Sequence, residues 1–253
     1  MLHGIEITTP RETLRRVRQA IKDGVKMWDG ARLVLADLPL DEREVARILP
    51  WGMKPADPPL ATLFITDYPK NAFTVPYKEA AVLIHVRTPL GRGIHCCWMV
   101  VDDDTALILG RENLGYPKKL ADITYEESAG GARAAVRRRG VDVLTMEAVR
   151  GARQTAPPPV FARKTFNISG PGQLMFIHPV WLFHPTEVIL ESYEADVSVT
   201  IGDSVFDPLN RIVAGGSVRG RLTVVDILGS RYNLPVGLAG PTWVMNTYMM
   251  RFK

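Results

Sequence analysis

Short runs of apolar and β-branched residues, separated by turn-forming glycine, proline and polar residues, recur along most of this chain. They span residues 60–66, 80–88, 94–101 and 106–109, then 123–127, 132–138 and 141–149. Further runs follow at 161–168, 175–178, 187–200 and 218–228, and a short one precedes them all at 32–36. Runs of this length read as strands, with Gly130-Gly131 and Gly140 supplying the tight reversals of a meander. Only two stretches read as helices. Thr9-Pro10-Arg11-Glu12 has the form of a capping box, and Leu14, Val17, Ile21 and Val25 follow at helical spacing, so a helix is expected to end near Gly24. Asp41-Glu42-Arg43-Glu44 caps a second helix that turns Val45, Ile48 and Leu49 inward and stops at Pro50. Many strands and two helices predict a mainly β protein of the α+β class: an antiparallel β-barrel or stacked curved sheets with a few flanking helices. No fixed-period repeat or long linker divides the chain. Residues 1–253 are therefore expected to form one domain, with the N-terminal helix inside 1–30 and a Gly/Pro-punctuated tail over 229–253.

Composition removes several function classes. The only cysteines, Cys96 and Cys97, are adjacent in an apolar run, which excludes a disulfide framework and reads as two buried thiols. No spaced cysteine and histidine set predicts a metal site, and His85, His95, His178 and His184 fall on separate strands or loops. The net charge of +4 is spread out, apart from Arg15-Arg16 and Arg137-Arg138-Arg139. Neither run is interleaved with aromatics, so no nucleic-acid partner is expected, and the triple arginine before Gly140 reads as a solvated hairpin tip. No apolar run is long enough to span a bilayer and no signal-peptide order is seen, so no membrane partner and a cytoplasmic location are expected.

The chemistry concentrates in 110–122, Gly-Arg-Glu-Asn-Leu-Gly-Tyr-Pro-Lys-Lys-Leu-Ala-Asp. A lysine is a nucleophile only as the free amine, so its usual pKa of about 10.4 must fall by several units. Burial and a neighbouring cation both push it down. Lys118 and Lys119, flanked by Leu114, Tyr116, Pro117 and Leu120, could have both. Without burial the same dipeptide is a solvated loop corner.

Gly110-Arg111-Glu112 followed by Tyr116-Pro117-Lys118-Lys119 resembles the signature of the acetoacetate decarboxylase family. The helix 41–50, the loop through Pro59, Tyr77-Lys78-Glu79 and Asp207-Pro208-Leu209-Asn210 follow that family's order. The resemblance implies a β-barrel with flanking helices and a homo-oligomer. It also implies Schiff-base chemistry on small oxo acids without a cofactor, with Lys118 as the imine-forming residue and Lys119 as the neighbour that lowers its pKa. Glu79 matches the family's active-site glutamate, and Arg111 and Glu112 are expected to form an ion pair that fixes the loop.

Two positions depart from the pattern. Phe64 stands where decarboxylases carry a second glutamate, and Ala31 where they carry an arginine, with Arg32 one residue away. Superfamily members that condense pyruvate with aldehydes use a C-terminal tyrosine, for which Tyr248 is the candidate and Tyr232 the second. These points lean the expected reaction towards a 2-oxo acid aldolase-dehydratase or hydratase, with acetoacetate decarboxylation as the alternative and a non-catalytic binding or sensor protein as the reading outside enzymes. The expected catalytic set is Lys118, Lys119, Glu79 and Tyr248, with Phe64, Tyr77, Leu114, Tyr116 and Arg32 around the substrate.

Overall fold

The computed structural model describes residues 9–12, 15, 26–168 and 177–253. Of the expected first helix, Pro10, Arg11 and Glu12 are helical, and Thr9 Oγ1 accepts from the Glu12 amide at 3.3 Å as the capping box requires. Leu14, Val17, Ile21 and Val25 lie outside the described residues, as do Met175 and Phe176 of the run 175–178.

The elements follow in order as β1 (Trp28–Pro39), α1 (Glu42–Ile48), β2 (Lys54–Pro55), β3 (Leu60–Tyr68), β4 (Tyr77–Thr88) and β5 (Gly91–Val101). Next come α2 (Asp104–Leu114), β6 (Lys118–Leu120), β7 (Asp122–Ser128), β8 (Gly131–Arg138) and β9 (Val141–Arg153). The chain ends with β10 (Thr165–Ile168), β11 (His178–Ile201), β12 (Gly216–Ala239) and α3 (Pro241–Phe252).

Neighbouring strands run β10-β5-β4-β3-β1-β12-β11, and β10 also pairs with β11, so seven strands close into a barrel. Every join is antiparallel except β10 with β5, a parallel contact with the single register pair Thr165↔Ile94. Side chains reinforce that narrow seam. His95 Nδ1 lies 2.7 Å from the Phe166 carbonyl, and the Asn167 amide accepts from Cys96 N at 3.3 Å and donates to the Leu114 carbonyl at 3.1 Å. β6 adds to β5 in parallel, and β9, β8 and β7 continue from the long β11 as a wing outside the barrel.

Strand alternation sorts the core into two compartments. Val34, Leu63, Val82 and Val100 face outward and are covered by Ala134, Val136, Leu144 and Met146 of the wing. Leu33, Phe64, Ala81 and Met99 face into the barrel. Each large apolar side chain buried in this way stabilises the fold by about 1.5–3 kcal/mol. Cys96 and Cys97 are both free and buried.

Two expectations about elements are corrected. Residues 106–109 are not a strand but part of α2, because Asp103 Oδ1 accepts from Ala106 N at 2.7 Å and Gly115, at φ 66°, closes the other end. A four-residue apolar run fits helix and strand alike, and here the caps decide. Residues 229–253 are not an irregular tail. β12 runs on to Ala239, and Pro241, in the first turn where its missing N–H costs nothing, opens α3. Among the described residues no helix is long and apolar enough to cross a membrane.

Candidate active site

The Gly-Arg-Glu motif is the last turn of α2, and the Tyr-Pro-Lys-Lys motif is its exit into β6. Gly115 in the left-handed region lets its own amide bond the Arg111 carbonyl at 3.2 Å and the Tyr116 amide bond the Gly110 carbonyl at 3.1 Å. Pro117 then holds Tyr116 extended, and Lys118 joins β5 opposite Met99. Gly110 is needed for space. A Cβ there would lie 2.4 Å from Lys118 Cε and 2.9 Å from its Nζ, so the lysine stem lies directly on the helix. Arg111 does not pair with Glu112 as expected. Its Nη1 donates to the Lys118 carbonyl at 3.0 Å and to the Arg251 carbonyl at 3.2 Å, strapping β6 to α2 and α3.

Lys118 points into the barrel. Its Nζ lies 2.7 Å from Glu79 Oε2, and each residue is only 5% exposed. The amine also sits 5.6 Å from the ring centre of Tyr77 and 6.0 Å from that of Tyr116. Burial raises both phenols well above 10, and the Glu79 carboxylate adds to it, so near neutral pH they can donate hydrogen bonds but cannot act as bases. Trp28 Nε1 donates to the Tyr77 hydroxyl at 2.8 Å and fixes that ring.

The pair opens onto a cavity of about 530 Å³. Phe64, Leu83, Ile94, Met99, Leu114, Tyr116, Phe161 and Phe183 line it, with Trp28, Tyr68 and Phe73 on a further side. Phe64 packs edge-to-face on Phe161, ring centres 5.6 Å apart. Among the described residues, Lys118 and Glu79 are the only charged groups in the wall.

Lys119 points the other way. Consecutive residues of a strand face opposite sides, so its amine cannot neighbour that of Lys118. Its Nζ instead lies 2.5 Å from Asp207 Oδ1 in the outer compartment. Asp207 is fully buried and also accepts from Arg138 Nη1 at 2.7 Å and Trp98 Nε1 at 2.8 Å. Burial pushes the Lys119 ammonium down to about 8, against the upward pull of Asp207. Burial alone would raise the Asp207 carboxyl, but the charge and hydrogen bond of Lys119, with Trp98 and Arg138, outweigh it and leave it lowered. Arg138 is therefore no solvated tip: it is 9% exposed and ends the inward face of β8 after Ala132, Ala134 and Val136.

Of the other expected residues, Phe64, Leu114 and Tyr116 lie in the wall and Tyr77 stands beside the amine. Two are elsewhere. Arg32 is exposed on β1, alternating with Ala31 and Leu33, which face inward. Tyr248 is 46% exposed on α3, its ring centre 5.7 Å from that of Phe252, and it does not line the cavity. Tyr232 is likewise absent from the wall.

Comparison with known proteins agrees with this architecture. The family model described as acetoacetate decarboxylase (ADC) matches residues 8–246. The chain belongs to the acetoacetate decarboxylase family. Solved structures of acetoacetate decarboxylase share the fold. One from Legionella pneumophila subsp. pneumophila str. Philadelphia 1 is 15% identical, aligns over 83% of this chain and 86% of its own, and has a TM-score of 0.71. A second acetoacetate decarboxylase is 18% identical over 83% and 88%, with a TM-score of 0.73. The enduracididine biosynthesis enzyme MppR, complexed with pyruvate, is 15% identical over 82% and 89%, with a TM-score of 0.70. At such identities the likeness is one of fold. A search of curated proteins finds no match.

Proposed function

We propose that this acetoacetate decarboxylase family member is a lyase that works through an imine on Lys118. The observation that carries the reading is the Lys118–Glu79 pair, 2.7 Å apart and buried at the wall of an apolar cavity. Glu79 takes a proton from the Lys118 ammonium, and the free amine adds to the carbonyl carbon of an oxo compound. The carbinolamine oxygen then receives the proton from Glu79 and leaves as water, forming the iminium. That cation draws electrons from the neighbouring carbon. In a 2-oxo acid, loss of a proton from that carbon to Glu79 gives an enamine that can add to an aldehyde; in a 3-oxo acid, loss of carbon dioxide gives the enamine of the product ketone, which takes up a proton at carbon before hydrolysis.

Phe64 favours the first branch, aldol addition with loss or gain of water on a 2-oxo acid, because the wall presents a phenyl ring where decarboxylases are expected to carry a second glutamate. Arg32, facing outward, serves neither branch. Family membership supports decarboxylation as the second reading. Tyr248, exposed on α3, supplies no proton on either route.

Borohydride reduction in the presence of pyruvate, and separately of acetoacetate, tests the reading. A mass adduct on Lys118 is expected, and the compound that traps selects the branch. Full turnover by Lys118→Ala would rule the imine out.

A further inference from the structure

We infer that the carbonyl compound bound at Lys118 carries a large apolar body, an aryl group or an acyl chain, that fills the barrel cavity. The position of its carbonyl rests on the imine reading; the nature of its body does not. At about 530 Å³ the cavity falls in the range of about 300–1,000 Å³ typical of sites for drug-sized ligands. An oxo acid of three or four carbons would occupy only the end beside the amine.

What remains is walled by Trp28, Phe64, Leu83, Met99, Phe161 and Phe183, with Asn113, Thr165 and Ser230 as scattered polar groups. Water in such a space finds few of the two to four partners it needs, whereas an apolar group gains contact on every side. The charges point the same way. Lys118 and Glu79 already satisfy each other, and among the described residues no further cation lines the wall, so a carboxylate deep in the cavity would lose its hydration without a partner. The walls therefore select for the size and apolarity of the body rather than for a second charge.

The test is a series of methyl ketones, acetone, 2-hexanone, 2-octanone and 4-phenyl-2-butanone, with pyruvate alongside. Binding is read by intrinsic tryptophan fluorescence in the wild type and in Lys118→Met, and borohydride adducts are mapped in parallel. Each methylene that reaches the wall should tighten binding about fourfold, in both proteins. Filling the cavity with Leu83→Trp should weaken 2-octanone at least tenfold more than acetone. Affinity that does not rise with chain length in the wild type overturns the inference, whatever the adducts show. Chain-length dependence with no adduct on Lys118 keeps the inference and overturns the imine. If Lys118→Met does not fold, the wild type and Leu83→Trp decide alone.

Discussion

Glu79 and Gly110 act on Lys118 from two directions, one through its proton and one through its position. Glu79→Gln keeps the size of the side chain but cannot take the proton. It should slow imine formation about 10²–10⁴-fold while leaving the far-ultraviolet spectrum unchanged, as single-turnover borohydride trapping will report. Gly110→Ala puts a methyl group 2.4 Å from Lys118 Cε, so the lysine stem must shift. Alanine is the better helix former by about 1 kcal/mol, so the helix itself does not suffer. A misplaced amine should nevertheless cost about 10²-fold in trapping rate; wild-type trapping by Gly110→Ala would show that the close contact does not position the lysine. The resemblance alone singles out Lys118 and Glu79 in the sequence, and the structure brings the two side chains together. Arg138 was legible in principle, since Ala132, Ala134 and Val136 set the inward period of β8 and Arg138 continues it. Its place before the turn glycine Gly140 hides that period, and Asp207, within Asp-Pro-Leu-Asn, carries no local sign of the three donors that converge on it. Tyr248 was misplaced because nothing in a C-terminal sequence tells which face of a helix meets a cavity.

At the scale of the element, β6 is three residues held from both sides, with Lys118 paired inside the barrel and Lys119 paired outside it. The expected partnership of the two amines failed for this reason: adjacent residues of an extended strand cannot share a face. No strand is expected between 106–109 and 123–127, so the sequence offers no opposed faces for the two lysines. Removing the carboxylate with Asp207→Ala leaves Lys119 and Arg138 buried without their anion. We expect a loss of about 3–5 kcal/mol in urea unfolding. A loss below about 1 kcal/mol would show that the cluster is solvated. Asp103→Ala tests the other end of α2, the helix that leads into the motif: loss of its cap should cost about 1 kcal/mol and leave the dependence on urea concentration unchanged.

For the whole molecule, a mainly β architecture was readable from turn spacing, but closure of the barrel was not, because it depends on a four-residue strand meeting two partners far apart in sequence. His95 guards that closure and should make it sensitive to acid. Burial, with some help from Arg251, outweighs the hydrogen bond to Phe166 and lowers its pKa from 6.5 to about 4 in the folded protein. Between those values the unfolded chain binds a proton that the folded protein refuses, so stability is complete above about pH 6.5 and declines as the pH falls towards 4. The full loss is on the order of 3 kcal/mol. Urea midpoints measured from pH 7.5 to 4.5 should fall along that window, and His95→Gln should flatten the fall; an equal slope in both proteins would assign the acid sensitivity elsewhere.

The narrow stave Thr165–Ile168 touches one of its neighbours at a single rung, and Ile94 and Thr165, the two residues of that rung, border the hollow together with Phe183 on the next stave. Whatever lodges there presses on three staves at once and serves as the rivet the backbone leaves out. A ligand that fills the hollow should therefore tighten the barrel where its backbone joins most sparsely, and protection of the Ile94 amide from hydrogen exchange should rise when the ligand is added.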